Sequence, residues 1–462
     1  MKKIFILLFN IFVVSCPGPD SQPVETADWS VSQISVGQQD GKVVLSWRDP
    51  AAPGLIEIGI EASSGGITVR EQKIKPGEQT AFFDNLEKGK SYVFKLTGYG
   101  QNSQKNEKII THTVSSVDGR FTQANVYDLT ADFIWDVAPI PAEAVLTLET
   151  EEGISGIITD NRGSIKVSPG ADCVFHLTVT NGNVKETVAS YQDRSLLFWD
   201  DFNETGTTDG PNSTRWKNPG PAGSAWNNAL VEDWSMVEFL KDTDNTTFIR
   251  FKGSKNKDEK SKGSAVHSKD LFYFTYGKIE FRARLKENNN QGHFPALWLM
   301  PQKSGRPDGL TWPLGGEIDV MEHVRRNTQI SQTVHSEKTS PAPLYAGDHV
   351  YVNAKGERSS IGSYKDWENW HVFAMEWTKD GLFWYLDGKH TRTFNKNMND
   401  PAWYPFTEES AFYIIMNMGV GRASDGYPGG ALDGFSAHMD VDYVRVTPNN
   451  DTIVLDCPYY KQ

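Results

Sequence analysis

Hydrophobic and polar residues alternate along most of the chain, and turn residues separate the alternating runs. Residues 41–50 alternate and end at a turn signal, and residues 81–100 place two apolar runs around a turn at Glu87, Lys88 and Gly89. This period of two is typical of half-buried β-strands. Helical periodicity is absent apart from short turns, so the pattern predicts an all-β protein.

The pattern also predicts a division into three β-domains. Trp47 on an early strand, with Leu86, Gly89 and Tyr92 before a late one, resembles a fibronectin type III domain over residues 28–114. Residues 115–194 are interpreted as a second small immunoglobulin-like sandwich. Strands lengthen and Trp becomes dense from residue 195, so residues 195–462 fit one large jelly-roll sandwich. The two small domains usually serve as spacers, so function is sought in the third.

The N-terminus carries a targeting signal. Lys2 and Lys3 precede an apolar run, residues 4–14, that is too short to span a bilayer and reads as a signal peptide within residues 1–16. Cys16 follows directly, after a small residue, and resembles a bacterial lipoprotein processing site. The resemblance implies a lipidated Cys16, a tether over residues 17–27, and a location at the outer membrane or cell surface. Ordinary secretion with an incidental cysteine is the alternative.

Composition narrows the classes of molecule that the protein is expected to bind. A length of 462 residues suits two or three domains, and the net charge of −13 disfavours nucleic acid and other polyanions. The 14 Trp and 16 Tyr either pack cores or offer flat surfaces for sugar rings. Cys173 and Cys457 fall in different predicted domains, which argues against a disulfide framework and a cysteine metal site. We expect a monomer.

Residues 312–324 hold the candidate chemistry, because Glu317, Asp319 and Glu322 stand there among apolar residues. On a helix the two glutamates would diverge by about 140°. On a strand Glu317 and Asp319 share a face, and Glu322 points away unless a β-bulge near Val320 and Met321 restores it. The glutamate carboxyls would then approach to about 5 Å, the separation expected of a retaining glycosidase.

Spacing alone leaves other interpretations open. The three acids could instead form a solvated acidic strand face or a calcium site. Like charges on one partly buried face would raise at least one pKa, which a general acid needs at neutral pH.

The motif resembles the active-site motif of glycoside hydrolase family 16, in the laminarinase-like subgroup whose catalytic strand carries a bulge. Further stretches in the expected order extend the resemblance over about residues 196–448: residues 276–286, 292–301, 370–388 and 439–446. The resemblance implies that Glu317 is the nucleophile, that Asp319 supports it and that Glu322 is the acid/base. It also implies a jelly roll whose concave sheet forms an open cleft, and therefore endo action.

The resemblance implies supporting residues as well. Five are expected to contact substrate: Trp298, Trp312, His335, Asn228 and Asn417. Asp442 is expected to bind a structural calcium on the convex side, and the chemistry itself requires no cofactor. Phe294 stands where the family often has Trp, and the stretch 419–422 departs from a glucanase-like pattern, so the sugar bound beyond the cleaved bond stays open.

Together these observations favour a retaining endo-β-glycanase that acts on β-1,3 or mixed β-1,3/1,4-glucan. An endo-β-galactosidase-type enzyme is the alternative, with poly-N-acetyllactosamine chains, O-glycans or marine galactans as substrates. The acidic balance favours neutral polymers. A non-catalytic glycan-binding lipoprotein would share the stacked β-domains, although it would not need all three acids. A structural or adhesive surface protein would leave the buried acids unexplained.

Overall fold

The computed structural model describes residues 29–50, 54–100, 104–203, 210–257, 259–287, 291–302, 312–325, 327–340, 347–396, 400, 402–422, 425 and 427–461. The predicted signal peptide, Cys16 and the tether lie outside these residues. Strands dominate and the only helical elements described are two 3₁₀ turns, Tyr364–Glu368 and Pro458–Lys461, which confirms the all-β prediction. None of the helices described has the length and apolar character needed to cross a membrane.

The chain divides into two compact units, residues 1–118 and residues 119–462. The strands described in the first unit are β1 (Ser32–Gln39), β2 (Lys42–Arg48), β3 (Glu57–Ser64), β4 (Ile67–Ile74), β5 (Thr80–Phe83), β6 (Ser91–Tyr99) and β7 (Lys105–Thr113). Within this unit β1, β2 and β5 pair in that order, and the other sheet has the order β4-β3-β6-β7.

Alternating apolar residues of both sheets fill the core of the first unit, with Trp47 and Phe94 among the buried side chains. At the start of β6 the hydroxyl of Tyr92 accepts a hydrogen bond from the backbone N–H of Glu87 at 3.0 Å. Such a tyrosine corner is common in immunoglobulin-like sandwiches. The fibronectin type III assignment itself stays a prediction.

The second unit begins with another small sandwich. Its strands are β8 (Gly119–Val126), β9 (Thr130–Val137), β10 (Val145–Thr150), β11 (Ile157–Thr159), β12 (Arg162–Lys166), β13 (Asp172–Asn181) and β14 (Val184–Arg194). One sheet has the order β11-β12-β9-β8, and β10, β13 and β14 pair in that order. Aromatic rings pack in its interior, with Phe133 and Phe175 centred 4.8 Å apart.

The remainder of the second unit is a large two-sheet sandwich. Its strands are β15 (Phe198–Asp200), β16 (Val237–Lys241), β17 (Thr247–Lys255), β18 (Ser264–His267), β19 (Gly277–Glu287), β20 (His293–Pro301), β21 (Glu317–Glu322), β22 (Gln329–His335), β23 (Asp348–Asn353), β24 (His371–Trp377), β25 (Gly381–Leu386), β26 (Lys389–Asn395), β27 (Phe412–Val420) and β28 (Phe435–Thr447). One sheet has the order β16-β17-β28-β19-β24-β25-β26, with β15 also paired to β28. The other has the order β18-β27-β20-β21-β22-β23.

The six-stranded sheet positions the candidate site, because its two faces differ. Leu297, Ile318 and Met416 belong to the apolar core between the sheets. Their neighbours along the strands, such as Trp298, lie on the opposite face, as alternation requires. One face of this sheet therefore packs into the core, and the other face carries the candidate site.

The small sandwich of residues 119–194 is joined to the large one by polar contacts. The buried carboxylate of Asp128 accepts hydrogen bonds from the backbone N–H of Trp199 at 2.8 Å and from the hydroxyl of Tyr459 at 2.5 Å. Arg194 donates from Nη1 to the carbonyl of Asn449 at 3.1 Å. The predicted boundary between residues 194 and 195 thus falls inside one compact unit.

Candidate active site

Glu317, Asp319 and Glu322 lie on β21, which we call the carboxylate strand. On its β20 side Asp319 is opposite Trp298 and Glu322 is opposite Ala296, so the carboxylate strand carries one extra residue between them. The register with β22 shifts at the same place. This is the bulge that the odd spacing of the glutamates predicts, and it brings all three acids to one face of the sheet.

Glu317 is fixed by an aromatic donor. The indole Nε1 of Trp312 donates a hydrogen bond to Glu317 Oε2 at 2.7 Å, and Trp312 itself stays 41% exposed. The imidazole of His335, which is opposite Glu317 on β22, lies with Nε2 3.7 Å from Glu317 Oε1. The rings of Trp312 and His335 are 5.4 Å apart, so both line the same wall beside this carboxylate.

Asp319 lies deeper than the two glutamates, with 2% of its surface exposed. Its Oδ2 is 3.6 Å from His335 Nε2, and the Nδ1 of that imidazole is held by the hydroxyl of Ser340 at 2.7 Å. One oxygen each of Glu317 and Asp319 and one nitrogen of His335 lie within 4.8 Å of one another. Among the described residues this cluster has the donor atoms and spacing for a metal ion.

Burial raises the pKa of all three carboxyls. The pKa of Asp319 is raised well above its usual range by burial and by the charge of Glu317. Burial and the charge of Glu322 raise the pKa of Glu317 to about 8, and burial raises that of Glu322 to about 7. Burial lowers the pKa of His335 to about 4, so its imidazole is neutral at pH 7.

The hydrogen bonds show where negative charge is best placed. By its pKa alone Glu317 would keep a proton longer than Glu322 does. An indole N–H can only donate, however, so Glu317 Oε2 must accept from Trp312. The hydrogen bond with Asp319 also lowers the pKa of Glu317 while it raises that of Asp319. We therefore place the proton on Asp319 and the charge on Glu317, because two donors converge there.

Glu322 has weaker donors and an open side. The hydroxyls of Ser331 and Thr333 each lie 3.3 Å from Glu322 Oε2. Glu322 borders a cavity of about 270 Å³, whose other lining residues are Val324, Arg325, Asn327, Gln329, Ser331, Tyr351 and Tyr427. Sequence reasoning missed the two hydroxyls, although the alternation of β22 puts Ser331 and Thr333 on the same face as His335. Tyr351 comes from β23, the strand next to β22, and Tyr427 comes from a loop. Both are far from Glu322 along the chain, so no local sequence pattern indicates them.

Trp298 and Asn417 form a buried pair. Trp298 is 5% exposed, and its Nε1 donates to Asn417 Oδ1 at 2.8 Å. Asn417 is fully buried, and its Nδ2 donates to the carbonyl of Phe294 at 3.0 Å. Asn417 therefore lies on the face that carries the acids, opposite Ala296, but its amide is covered and bonded to Trp298 and Phe294. Its contact with substrate stays a prediction. Trp226, absent from the sequence predictions, packs edge-on against Trp298 with the rings 5.0 Å apart.

The hydrogen bonds and ion pairs given for the other two predicted positions are to residues other than the three acids. Asn228 is 7% exposed, and its Nδ2 donates to both carboxylate oxygens of Asp425 at 2.9 Å. Asp442 is paired with Arg282 through a short contact. That guanidinium supplies the positive charge that a calcium ion would bring. The calcium site at Asp442 stays a prediction, because calcium also takes backbone carbonyl ligands.

Comparison with known proteins agrees with this geometry. The family model of glycosyl hydrolases family 16 matches residues 234–445. A β-glucanase of Rhodothermus marinus is 34% identical over 177 residues, which are 37% of this chain and 57% of that protein. A keratan-sulfate endo-1,4-β-galactosidase of Sphingobacterium multivorum is 27% identical over 264 residues, which are 56% of each protein. The chain thus spans little more than half the length of either relative.

One solved structure comes from work on endo-acting O-glycanases that prominent members of the human gut microbiota express to initiate mucin breakdown. It is 31% identical with a TM-score of 0.46, and the match covers 55% of this chain and 100% of that one. The family match, by contrast, contains the whole carboxylate strand and both of its neighbours in the sheet. Residues 234–445 of this chain, which carry all three acids, therefore match the family model of glycosyl hydrolases family 16.

Proposed function

We propose that the protein is a retaining endo-β-glycanase that hydrolyses internal bonds of β-1,3-glucan or mixed β-1,3/1,4-glucan. The observation that carries the proposal is the bulge of the carboxylate strand, which places Glu317 and a protonatable Glu322 on one face. The similarity to a β-glucanase supports the choice of glucan. Two carboxyl groups in these roles are what retention of configuration requires.

The mechanism follows from the two environments. A carboxylate oxygen of Glu317 attacks the anomeric carbon, the glycosidic C–O bond breaks, and the proton of Glu322 passes to the departing oxygen. Glu322, now ionised, takes a proton from water as that water attacks the glycosyl–Glu317 ester. The second step releases the sugar and restores both carboxyls. Two inversions retain the β configuration.

Asp319 and His335 support Glu317 as the nucleophile and take part in neither chemical step. The proton on Asp319 is held by its burial, and its hydrogen bond to Glu317 stabilises the charge on that carboxylate. His335 is neutral, so it adds no competing positive charge that would hold the nucleophile as an ion pair. Its side chain packs against Trp312 and fixes the wall beside Glu317.

The cavity beside Glu322 indicates where the leaving sugar binds. A general acid must contact the glycosidic oxygen, so the part of the chain that departs lies on the Glu322 side. Tyr351 and Tyr427 line that cavity and are 41% and 50% exposed. Flat, exposed aromatic rings of this kind suit the apolar faces of pyranose rings.

The test is hydrolysis of a panel of β-glucans, galactans and mucin glycans, with sizing of the products and proton NMR of the first products. We expect mid-sized oligosaccharides from a β-1,3 or mixed-linkage glucan, with the β-anomer appearing first. Cleavage of galactans or mucin glycans with glucans untouched would favour an endo-β-galactosidase-type enzyme. The similarity to the keratan-sulfate endo-1,4-β-galactosidase supports this alternative. Binding without any hydrolysis would make the protein a glycan-binding module.

We also propose that Cys16 is lipidated and anchors the protein to a bacterial membrane, at the outer membrane or cell surface. Its support is the N-terminal sequence alone: two lysines, a short apolar run and a cysteine directly after it. Cys16→Ala should move the protein from the membrane fraction to the soluble fraction with its activity intact. An unchanged membrane fraction would contradict the anchor.

A further inference from the structure

A tryptophan from the opposite sheet reaches the backbone of the carboxylate strand. Trp384, on β25, is fully buried between the two sheets. Its indole Nε1 donates a hydrogen bond to the carbonyl of Asp319 at 2.9 Å. Asp319 is the last residue before the bulge, because the register of the carboxylate strand shifts between Asp319 and Glu322. The hydrogen bond from Trp384 is therefore made to the backbone at the point where the pairing of β21 with β22 is interrupted.

An arginine reaches the neighbouring strand at the same level. Arg392, on β26, is 2% exposed and donates from Nη1 to the carbonyl of Gln332. Gln332 on β22 lies between Thr333, opposite Asp319, and Ser331, opposite Glu322, so it is the residue that faces the bulge. Its own Oε1 accepts from the hydroxyl of Thr391 at 2.9 Å. The guanidinium of Arg392 also lies 4.7 Å from the ring of Trp384, so the two donor side chains pack against each other.

These contacts address a physical weakness of the bulge. A bulge disrupts the local ladder, and a buried carbonyl without a donor is costly. Donors from the opposite sheet satisfy carbonyls on both sides of the interruption and tie it to a rigid element. The bulge also sets the spacing and direction of Glu322 relative to Glu317, so anything that holds the bulge holds the spacing of the carboxyls.

We propose that Trp384 and Arg392 are positioning residues, which lock the bulge from behind and thereby fix the separation of the Glu317 and Glu322 carboxyls. The inference rests on the proposed function for its catalytic consequence, although the positioning itself does not. Neither side chain contacts substrate, since both are buried between the sheets.

The charge of Arg392 opposes the proton on Asp319, so its positioning role rests on its hydrogen bond to Gln332. Burial lowers the pKa of Arg392 to about 10, which still leaves it charged at neutral pH. Its charge opposes the protonation of His335 and favours the ionised form of Asp319. Asp348, 49% exposed in its side chain, lies 3.3 Å from Arg392 Nη2 and faces it from β23. Arg392 thus holds the bulge through its hydrogen bond, while Asp348 partly balances its charge.

The test compares Trp384→Phe with Trp367→Phe. Both remove a buried indole N–H that donates to a backbone carbonyl, but the acceptor of Trp367 is Thr328, outside the carboxylate strand. The first readout is ¹³C NMR titration of the labelled glutamate carboxyls, assigned with Glu317→Gln and Glu322→Gln. A looser bulge weakens the repulsion that raises the pKa of Glu317. We expect the higher of the two pKa values to fall by about half a unit or more in Trp384→Phe only.

The second readout is the pH profile of kcat/KM. We expect kcat to fall at least about tenfold in Trp384→Phe with KM little changed, and the acidic limb, which reports the ionisation of Glu317, to move to lower pH. Arg392→Lys keeps the charge but loses the planar donor, and it should show a smaller shift of the same sign. Identical titrations in Trp384→Phe and the wild type would overturn the proposal. A shifted titration in a protein that hydrolyses no glycan would instead uphold the positioning and overturn the proposed function.

Discussion

At the scale of single residues, Trp312 is the donor that favours negative charge on Glu317. Its indole N–H donates to Glu317 at 2.7 Å and lowers the pKa of that carboxyl against the effects of burial and of Glu322. A hydrogen bond to a charged group contributes about 1.5–3 kcal/mol in proteins. The assignment of Glu317 as nucleophile therefore depends on a side chain that is itself partly exposed to solvent.

Trp312→Phe tests this dependence, because it keeps an aromatic wall and removes only the donor. We expect kcat/KM to fall by roughly 10- to 100-fold, from the loss of about 1.5–3 kcal/mol at a charged acceptor. Without the donor the pKa of Glu317 rises, so the acidic limb of the pH profile should move to higher pH. The pH dependence of kcat/KM measures both effects. An unchanged acidic limb would mean that Glu317 is not the group whose ionisation starts the reaction.

The two glutamates should respond differently to replacement. Glu317→Gln keeps the shape and removes the nucleophile, so turnover should fall by several orders of magnitude while substrate binding persists. Glu322→Ala should lose about 10²- to 10⁴-fold with polysaccharide, the usual contribution of a general acid, and much less with an activated leaving group. Azide should then restore turnover and yield a β-glycosyl azide. Asp319→Asn should be milder than either replacement. An α-glycosyl azide would contradict the assigned roles.

The residues that sequence reasoning could place are those with local partners. Trp312 is five residues from Glu317, and His335 is found by pairing one adjacent strand. Asn417 differs, because its partner Trp298 is 119 residues away, and nothing near position 417 reveals that the amide is fully used. Asp442 is likewise paired with Arg282, 160 residues away. Non-local hydrogen bonding decides whether a polar side chain faces substrate or structure.

At the scale of strands, the bulge could be predicted because side chains alternate. Glu317 and Glu322 are separated by an odd number of residues, so a regular strand would send one of them into the apolar core. A buried charge there is costly, which makes one extra residue the cheaper solution. The support of the bulge could not be predicted in this way. Trp384 is 65 residues from Asp319 and lies on the other sheet.

The strand β23 provides a test of the leaving-group cavity. Tyr351 lies on this strand opposite Ser331 and lines the cavity beside Glu322. Tyr351→Ala should lower kcat/KM on polysaccharide roughly 5- to 10-fold, if loss of an aromatic contact costs about 1 kcal/mol. A β-glycosyl fluoride leaves this cavity empty, so its hydrolysis should change little. Equal losses on both substrates would place Tyr351 outside the leaving-group side.

At the scale of the whole molecule, all three acids lie in the second of the two compact units. The first unit, residues 1–118, has a core of its own and none of the three acids. The second unit joins the small sandwich of residues 119–194 to the family 16 segment. Composition alone suggests a domain boundary near residue 195, since strand length and Trp density change there. Composition does not report the hydrogen bonds that cross this boundary.

Asp128 is the clearest of those connections. Its carboxylate accepts from the backbone of Trp199 and from the hydroxyl of Tyr459, and Tyr459 in turn accepts from Arg215 Nε at 3.2 Å. A fragment that begins at residue 195 loses this carboxylate, one of the two that act on the buried guanidinium of Arg215, and keeps the other, Asp200. Breaking a buried charge interaction by removing one partner costs about 3–5 kcal/mol.

Two fragments, residues 119–462 and 195–462, test the connection. We expect the longer one to unfold in a single cooperative transition, and the shorter one to melt at least about 6 °C lower, since about 1 kcal/mol shifts Tm by 2–4 °C at this size. Asp128→Asn in the longer fragment should account for part of that loss, because an amide keeps the shape but not the charge. Both fragments should still cleave soluble substrate at low temperature, as all three acids lie in the large sandwich. Equal melting temperatures would show that the small sandwich is only a spacer. Loss of activity in a folded 195–462 fragment would show instead that residues 119–194 help to shape the cleft.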